Sequence, residues 1–474
     1  MLGLLGTLNM AGQSLQTQMT GVEVAGQNLA NVNTPGYTRQ TVDIETSPDI
    51  TTSVGPEGTG AEVVSIQQAV DSLLNGQIQS QQSTSGYWTA QQSALQSVQD
   101  DLDTFLSNAN TSGSSSSTGT ATSSGLSTQL GNFFNDLQSV ATSPTSISAR
   151  QTLISDAQTL ATTFNQMSSQ LDQVKTGLNS SLSTDVDSSN QLLSGIATLN
   201  GQISAAEFSG GNANDLLDER QQDLNNLSQL TDITTSAGTN NTVNVDIGGI
   251  PLVSGNQVLD TLQTYDPGNG SLYVRTTGGQ QDLTLGGGSM QGTIDARDGT
   301  LANLQSSINT LASSLIAQVN SVYSGGYSLT GATGGSFFDG SDAGSISVDS
   351  SLINDPSSFQ ASGSATASGD NSIALQLAQL ANTAQSTLNG LTFSGSFDQT
   401  AGDFGGAAQN ANEQVSNQTA VMNMLTNQQS SVSGVSVDQE MTNLLGFQQA
   451  YEASAELVST VNQMLEDTLN MRTG

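Results

Sequence analysis

The stretch MLGLLGTLNMAGQSLQTQMTGVEVAGQNLANVNTPGY (residues 1–37) decides the fold. Met1, Leu8, Leu15, Val22 and Leu29 recur every seven residues, and Leu4, Ala11, Ala25 and Val32 form a second row interrupted only by Gln18. Two apolar rows at heptad spacing make a seam along which a helix packs on partner helices. Gly3, Gly6, Gly12, Gly21 and Gly26 weaken that helix by roughly 1 kcal/mol each relative to Ala. The pattern ends at Asn31-Val32-Asn33-Thr34-Pro35-Gly36-Tyr37, where Pro35 fixes φ at the first corner of a turn and Gly36 supplies the positive φ of the second.

The other end of the chain mirrors this one. Val437, Leu444, Tyr451, Val458 and Leu465 are spaced by seven, with Met441, Ala455 and Leu469 as a second row and Gln448 and Asn462 as polar interruptions. Two such helices either dock on the chain's own body or pair with each other and with neighbouring subunits. Their glycine content and modest hydrophobicity favour ends that order on assembly. Leu8, Leu15, Val22, Leu29, Val437, Leu444, Tyr451, Val458 and Leu465 are therefore the candidate subunit-assembly seam.

Between the ends the period stays mostly helical. Residues 126–141 place Leu126, Leu130, Phe133, Leu137 and Val140 on one face, and a longer stripe runs from Leu153 to Leu178 over about 148–182. Further stripes are Leu192/Ile196/Leu199/Ile203, Leu217/Leu224/Leu227, Leu301 to Leu315, Ile373/Leu377/Leu380/Ala384/Leu388 and Val415/Met422/Leu425/Val432. Narrow stripes on long helices predict a mainly α, elongated multi-domain rod. Residues 38–66 read as short strands, making 36–66 a β-rich segment. Alternation at Val243, Val245 and Ile247 amid Gly, Asp and Asn turns marks 236–288 as a small inserted β domain. The expected organisation is 1–60 with 431–474 as a terminal assembly domain, 61–235 with 289–430 as an elongated helical domain, and 236–288 as the insert. Residues 111–125 (TSGSSSSTGTATSSG) read as a flexible linker, and 324–369 as mostly loop with short strands near Phe337-Phe338 and Ile346/Val348.

Composition excludes several function classes. Of 474 residues only 10% are charged, against about 25% in ordinary soluble domains. The net charge of −34 reflects 41 acids against seven bases, which leaves no basic footprint for nucleic acid or an anionic membrane. No stretch approaches the roughly 20 apolar residues of a membrane span. Cys and His are absent, removing thiol and imidazole chemistry and zinc sites built from them. No Lys or Arg precedes Arg39, so the N-terminus lacks the pattern of a cleaved secretory signal.

Carboxylates are the remaining catalytic candidates, and Asn214-Asp215-Leu216-Leu217-Asp218-Glu219-Arg220 is their densest cluster. Asp215, Asp218 and Glu219 could form the acid pair of a secreted hydrolase. They also suit a helix start, with Asn214 or Asp215 as cap and acids facing the positive end of the dipole. Asp339-Gly340-Ser341-Asp342 lacks the further ligands of a calcium loop and reads as a solvated turn. The expectation is no catalytic residue, no cofactor and no metal.

Ala30-Asn31-Val32-Asn33-Thr34-Pro35-Gly36-Tyr37 with Arg39-Gln40 resembles the N-terminal signature of bacterial flagellar axial proteins: rod, hook and hook-associated proteins. Phe447-Gln448-Gln449-Ala450-Tyr451-Glu452-Ala453-Ser454-Ala455, continuing through Val461-Asn462-Gln463-Met464-Leu465, resembles their C-terminal motif. Ser433-Gly434-Val435-Ser436-Val437-Asp438, the 214–220 segment and the long helical middle are similar to the junction proteins of that family, the hook-associated protein 1 group. The resemblance makes Asn31, Asn33, Pro35, Gly36 and Tyr37 the family turn motif. It implies a structural, non-enzymatic subunit, exported unfolded through the flagellar type III channel and located outside the cell at the hook–filament junction. It further implies a ring of identical subunits joined by terminal helices, with hook protein and hook-associated protein 3 as axial neighbours and an export chaperone on the C-terminal region. Hook-associated protein 3 or flagellin is the alternative within the flagellum.

Overall fold

The structure is a computed structural model that describes residues 3–52, 55–106 and 125–473. Met1 of the first heptad row and all of the expected Ser-rich linker except Gly125 lie outside the described residues.

The chain opens with α1 (Leu4–Ala30), followed by β1 (Gln40–Thr46), β2 (Ile50–Thr52), β3 (Gly55–Glu57) and β4 (Ala61–Gln68). Helices α2 (Ser72–Leu106), α3 (Leu126–Thr142), α4 (Ile147–Phe208) and α5 (Asn214–Leu230) come next. The β insert comprises β5 (Ile233–Ala237), β6 (Val243–Ile247), β7 (Ile250–Ser254), β8 (Gln257–Val258), β9 (Leu262–Tyr265) and β10 (Tyr273–Thr276). Then α6 (Gly288–Asp295) passes through a π-turn (Ala296–Leu301) into α7 (Ala302–Tyr323). Two short strands, β11 (Phe338–Asp339) and β12 (Ser347–Val348), precede α8 (Ser350–Asn354), α9 (Ser372–Gln379), α10 (Phe393–Ser433) and α11 (Val437–Thr473). Among the described residues no helix is long and apolar enough to cross a membrane.

The fold is mainly α and elongated, and α4 is its spine. The helix expected over 148–182 does not stop there: it continues through the Leu192/Ile196/Leu199/Ile203 stripe to Phe208, 62 residues in all. At 1.5 Å per residue that is about 93 Å. Its first half packs into one apolar core with α2, α3, α7, α9 and α10 through Leu153, Leu160, Phe164 and Leu171. Its second half packs into another with α5 and the β insert through Leu182, Leu193 and Ile196. One stripe thus serves two cores, because both bury the same face of one continuous helix.

The insert matches its alternating pattern. Strands β5–β6–β7–β8 form an antiparallel sheet, with β9–β10 as a separate hairpin. Asn200 of α4 is fully buried and ties the helix to the sheet: its Nδ2 donates to Val243 O (2.8 Å) and Gly255 O (2.7 Å), while its Oδ1 accepts from Arg220 (2.9 Å).

One sequence expectation changes, and two features not read from the sequence appear. Helix α2 is 35 residues long and buries Leu74 and Ile78 near its start and Leu95, Val98 and Leu102 near its end, with no stripe running its whole length. Its middle packs through close backbone approach: a Cβ on Gly86 would lie 2.1 Å from Gln229 O, and one on Gly292 of α6 would lie 2.2 Å from Tyr87 O. The stripe from Ile373 to Leu388 is not one helix, because α9 ends at Gln379 and 3-10 turns at Leu380–Asn382 and Ser386–Leu388 follow. Residues 324–369 are loop by backbone but core by side chain. Phe337, Phe338 and Phe359 are buried against Tyr323, with ring centroids of Phe337 and Phe338 4.7 Å apart. Asn320 of α7 holds that loop by accepting from Phe337 N (2.8 Å) and donating to Phe338 O (2.7 Å).

These contacts give a paired test. Gly292→Ala forces a methyl group into the Tyr87 carbonyl and should destabilise the chain by about 1–3 kcal/mol, since overpacking against backbone has no cheap relief. Gly76 of α2 has open space around it, so Gly76→Ala should stabilise by about 0.5–1 kcal/mol through helix propensity. Urea unfolding of both variants measures the opposite signs.

Candidate functional site: the paired terminal helices and their hinge

Helices α1 and α11 pack antiparallel, and their polar and small residues reveal the register. Asn28 Nδ2 donates to Glu440 Oε2 (3.2 Å), Gly21 lies under the Phe447 ring, and Ser14 Oγ bonds Ser454 Oγ (3.0 Å). Each step is seven residues along both helices, as an antiparallel heptad requires. A Cβ on Gly21 would fall 2.6 Å from Phe447 Cδ1, so glycine here is what lets the ring reach the α1 backbone. Val461 of α11, one further heptad along, is buried.

The contact line therefore includes the second α1 row read in the sequence, but sits one residue before the first α1 row and one residue before the second α11 row. On α1, Ala11 and Ala25 of the second row are buried, while Leu8, Leu15, Val22 and Leu29 are half-buried at its flank. On α11, Leu444, Val458 and Leu465 are half-buried; Val437 and Tyr451 are 45% and 41% exposed. The rows Ser14/Gly21/Asn28 and Glu440/Phe447/Ser454/Val461 were not visible by apolar counting, because most members are small or polar. Read one residue earlier, the interruptions at Gln448 and Asn462 become Phe447 and Val461.

The flank of α1 beside that contact carries the β1–β4 ribbon. Thr17 Oγ1 donates to Ala61 O (3.0 Å) and Gln13 Nε2 to Ser47 Oγ (2.9 Å). In the ribbon Val42 pairs with Ile66 and Ile44 with Val63.

At the end of α1 the turn motif has the conformation its sequence requires. Gly36 has φ +81° and Tyr37 N donates to Thr34 O (3.2 Å). Asn31 accepts from Thr34 through its side chain (3.1 Å), while Asn33, Pro35 and Gly36 are exposed. The turn aims Tyr37 at Asn28, whose side chain is fully buried and fully bonded. Asn28 Oδ1 accepts from Tyr37 OH (2.9 Å) and Gln40 N (2.9 Å), and its Nδ2 donates to Gln40 O (2.8 Å) as well as Glu440. One amide joins α1, the turn, β1 and α11. Burial, with the carboxylates of Asp215, Asp218 and Glu440, pushes the Tyr37 phenol up to about 12, so it stays a donor. Arg39 closes the hinge: its N–H donates to Ser433 O (2.9 Å) and its guanidinium to Gln439 (3.1 Å), clasping the corner between α10 and α11.

The acidic cluster belongs to this hinge. Neither Asn214 nor Asp215 caps α5; Ala213 takes that position without a side-chain bond, and Asn212 accepts from Asn214 N (2.9 Å). The first turn of α5 is instead turned outward onto the terminal unit. Asp215 accepts from Gln40 Nε2 (3.0 Å), Asp218 from Thr38 N (2.9 Å) and Gln68 Nε2 (2.8 Å), and Asn214 Nδ2 donates to Ile66 O (3.0 Å). Burial pushes the Asp218 carboxyl above its ordinary value, opposed by these donors. Glu219 lines the same shallow cavity of about 250 Å³ beside Pro35 and Gly36. Two of the three candidate acids thus have their oxygens committed to holding one unit against another. Asp342 of the other acidic segment accepts from Ser345 N and Oγ within its own turn.

Comparison with known proteins agrees with this architecture. The family profile of the flagellar hook-associated protein FlgK helical domain matches residues 115–338, and that of the flagellar basal body rod FlgEFG protein C-terminal region matches 426–471. Flagellar hook-associated protein 1 of Bacillus subtilis is 29% identical over 98% of this chain and 97% of its own length. The Escherichia coli protein of that name is 25% identical over 98% and 99%. The solved flagellar hook junction protein FlgK from Burkholderia pseudomallei superposes with a TM-score of 0.63 at 20% identity, over 75% of this chain and all of that one, which is a likeness of fold.

The hinge generates its own test. Asn28→Leu leaves the Tyr37 hydroxyl and both backbone groups of Gln40 without buried partners, a loss of about 2–4 kcal/mol to the terminal unit. Hydrogen exchange should show the Gln40 amide losing protection while the amides of α4 keep theirs.

Proposed function

We propose that the chain is a member of the FlgK family of flagellar hook-associated proteins and that it polymerises at the hook–filament junction through the outward faces of α1 and α11. It is a structural component of the flagellum rather than an enzyme, as its relatives are.

One observation carries the assembly reading. Helix α11 has one described helical neighbour along its length, α1, and together the two bury only Ala11, Val24, Ala25 and Val461 as fully enclosed apolar side chains. Meanwhile α11 exposes Val437, Met441, Leu445, Tyr451, Leu457, Met464 and Leu469, and α1 exposes Leu5 and Met19. A pair of helices apolar beyond its mutual contact is a surface built to be covered. Copies of the same chain, side by side in a ring, are the coverage we propose. Hook protein and hook-associated protein 3 would then be the axial neighbours, and an export chaperone would cover α11 before assembly. Export without a cleaved signal fits a chain with no cysteine to form disulfides and with terminal helices that hold only a thin core. The hinge formed by Asn28, Asp215 and Asp218 would fix the angle between the assembling helices and the rod-like body.

Leu445→Asp and Tyr451→Asp test the surface. Both sites are exposed in the single chain, so stability should change by no more than about 0.5 kcal/mol. Incorporation should fail, because a carboxylate buried without a partner costs several kcal/mol. Electron microscopy of cells carrying these variants should show hooks without filaments, with Glu452→Gln as the mild control. Normal junctions would mean that this face of α11 is not the assembly face.

A further inference from the structure

Seven basic residues cannot pair 41 acids, so acids enclosed in the helical body need another neutralising partner. Asp136 of α3 and Asp156 of α4 form such a place. Phe133, Leu137 and Val140 flank the first within the core, and Leu153, Ala157 and Leu160 flank the second. Both acids are half-buried, their carboxyls meet across the interface, and Asp136 Oδ2 is enclosed with no donor facing it. Two carboxyls in contact make a hydrogen bond only when one holds a proton; with both ionised they repel.

The surroundings supply no alternative partner. Helix α3 packs against α4, α2, α9, α10 and the 3-10 turn after α9. Ser372–Asn382, covering α9 and that turn, has no charged residue, while α2 offers Asp100, Asp101 and Asp103 and α10 offers Asp398, Asp403 and Glu413. On α4 the nearest base is Arg150, whose guanidinium donates to the carbonyls of Pro144, Ser357 and Phe359. The next charges on α4, Asp172 and Lys175, lie about 24 Å or more along the helix from Asp156.

We propose that Asp136 holds a proton and donates it to Asp156 across the α3–α4 interface, so that the helical body is held more tightly in mildly acidic medium than in neutral or alkaline medium. A proton takes the place that Arg or Lys fills in less base-poor proteins. Burial first, then the bond to Asp156 and its charge, push the Asp136 carboxyl up from 3.8 to about 6. The unfolded chain releases this proton near its ordinary value, whereas the folded chain keeps it until about pH 6. Between those values the folded state binds more protons, so stability falls as pH rises through the window and levels off above it.

Thermal unfolding of the full chain at pH 5.0 and pH 7.5 tests this. Asp136→Asn keeps the shape and donates permanently to Asp156. Its gain over the parent should be about tenfold larger in the folding constant at pH 7.5 than at pH 5.0. Asp156→Asn should do the same from the other side. Asp101→Asn, at an exposed site on α2, removes one negative charge and should shift the midpoint equally at both pH values. The proposal is overturned if Asp136→Asn and Asp156→Asn run parallel to the parent across pH, or if Asp101→Asn reproduces their pH-dependent gain.

Discussion

The close approach of α1 to α11 at Gly21 and Phe447 is the contact on which the terminal unit depends. It sets an antiparallel register in which Ser14 meets Ser454 and Asn28 meets Glu440. That register places Glu440 of α11 at Asn28, beside the point where the chain leaves α1, turns at Pro35-Gly36 and enters β1. A slip of one heptad would take Glu440 away from Asn28 Nδ2 and Ser454 away from Ser14, while the bonds of Asn28 to Tyr37 and Gln40, all within residues 28–40, would remain. A buried polar residue in a helical seam is a known device for choosing one register among several of similar apolar energy. Here the same residue also anchors the turn.

From that anchor the geometry is transmitted outward by hydrogen bonds rather than by apolar packing. Gln40 reaches Asp215, Thr38 and Gln68 reach Asp218, and Arg39 reaches the α10–α11 corner. The long body is different: α4 runs through two apolar cores, with Phe164 and Leu171 in one and Leu193 and Ile196 in the other. A stiff body and a thinly packed terminal pair, joined by a directional polar hinge, suit a part that must hold an angle while its ends remain available to neighbours. In the proposed assembly the exposed apolar residues of α11 are an unfinished core that other copies complete.

Much of this was legible from residue order. Heptads at both ends, the turn at Pro35-Gly36, the stripes of α3, α4 and α7 and the alternation in the β insert rest on periodicity and backbone chemistry, which are local. Helix α2 was not legible, because its middle packs through Gly86 and Ser83 rather than through a stripe of large side chains. Nor was the enclosure of Phe337, Phe338 and Phe359 in a Gly/Ser-rich stretch, which depends on α3, α4 and α7 arriving from distant parts of the chain.

The sequence alone determined that both termini are heptad-patterned helices and that the acids of 214–220 suit a helix start, since spacing and turn chemistry act over a few residues. Tertiary structure decided which face meets which. On α1 the contact runs through Ser14, Gly21 and Asn28, one residue before the Leu15/Val22/Leu29 row, because Gly21 permits a closer approach than Leu15 or Val22 would. The role of Asp215 and Asp218 was decided the same way: a carboxylate at a helix start serves equally as cap, catalyst or clasp, and only the arrival of Thr38, Gln40 and Gln68 beside it makes it a clasp.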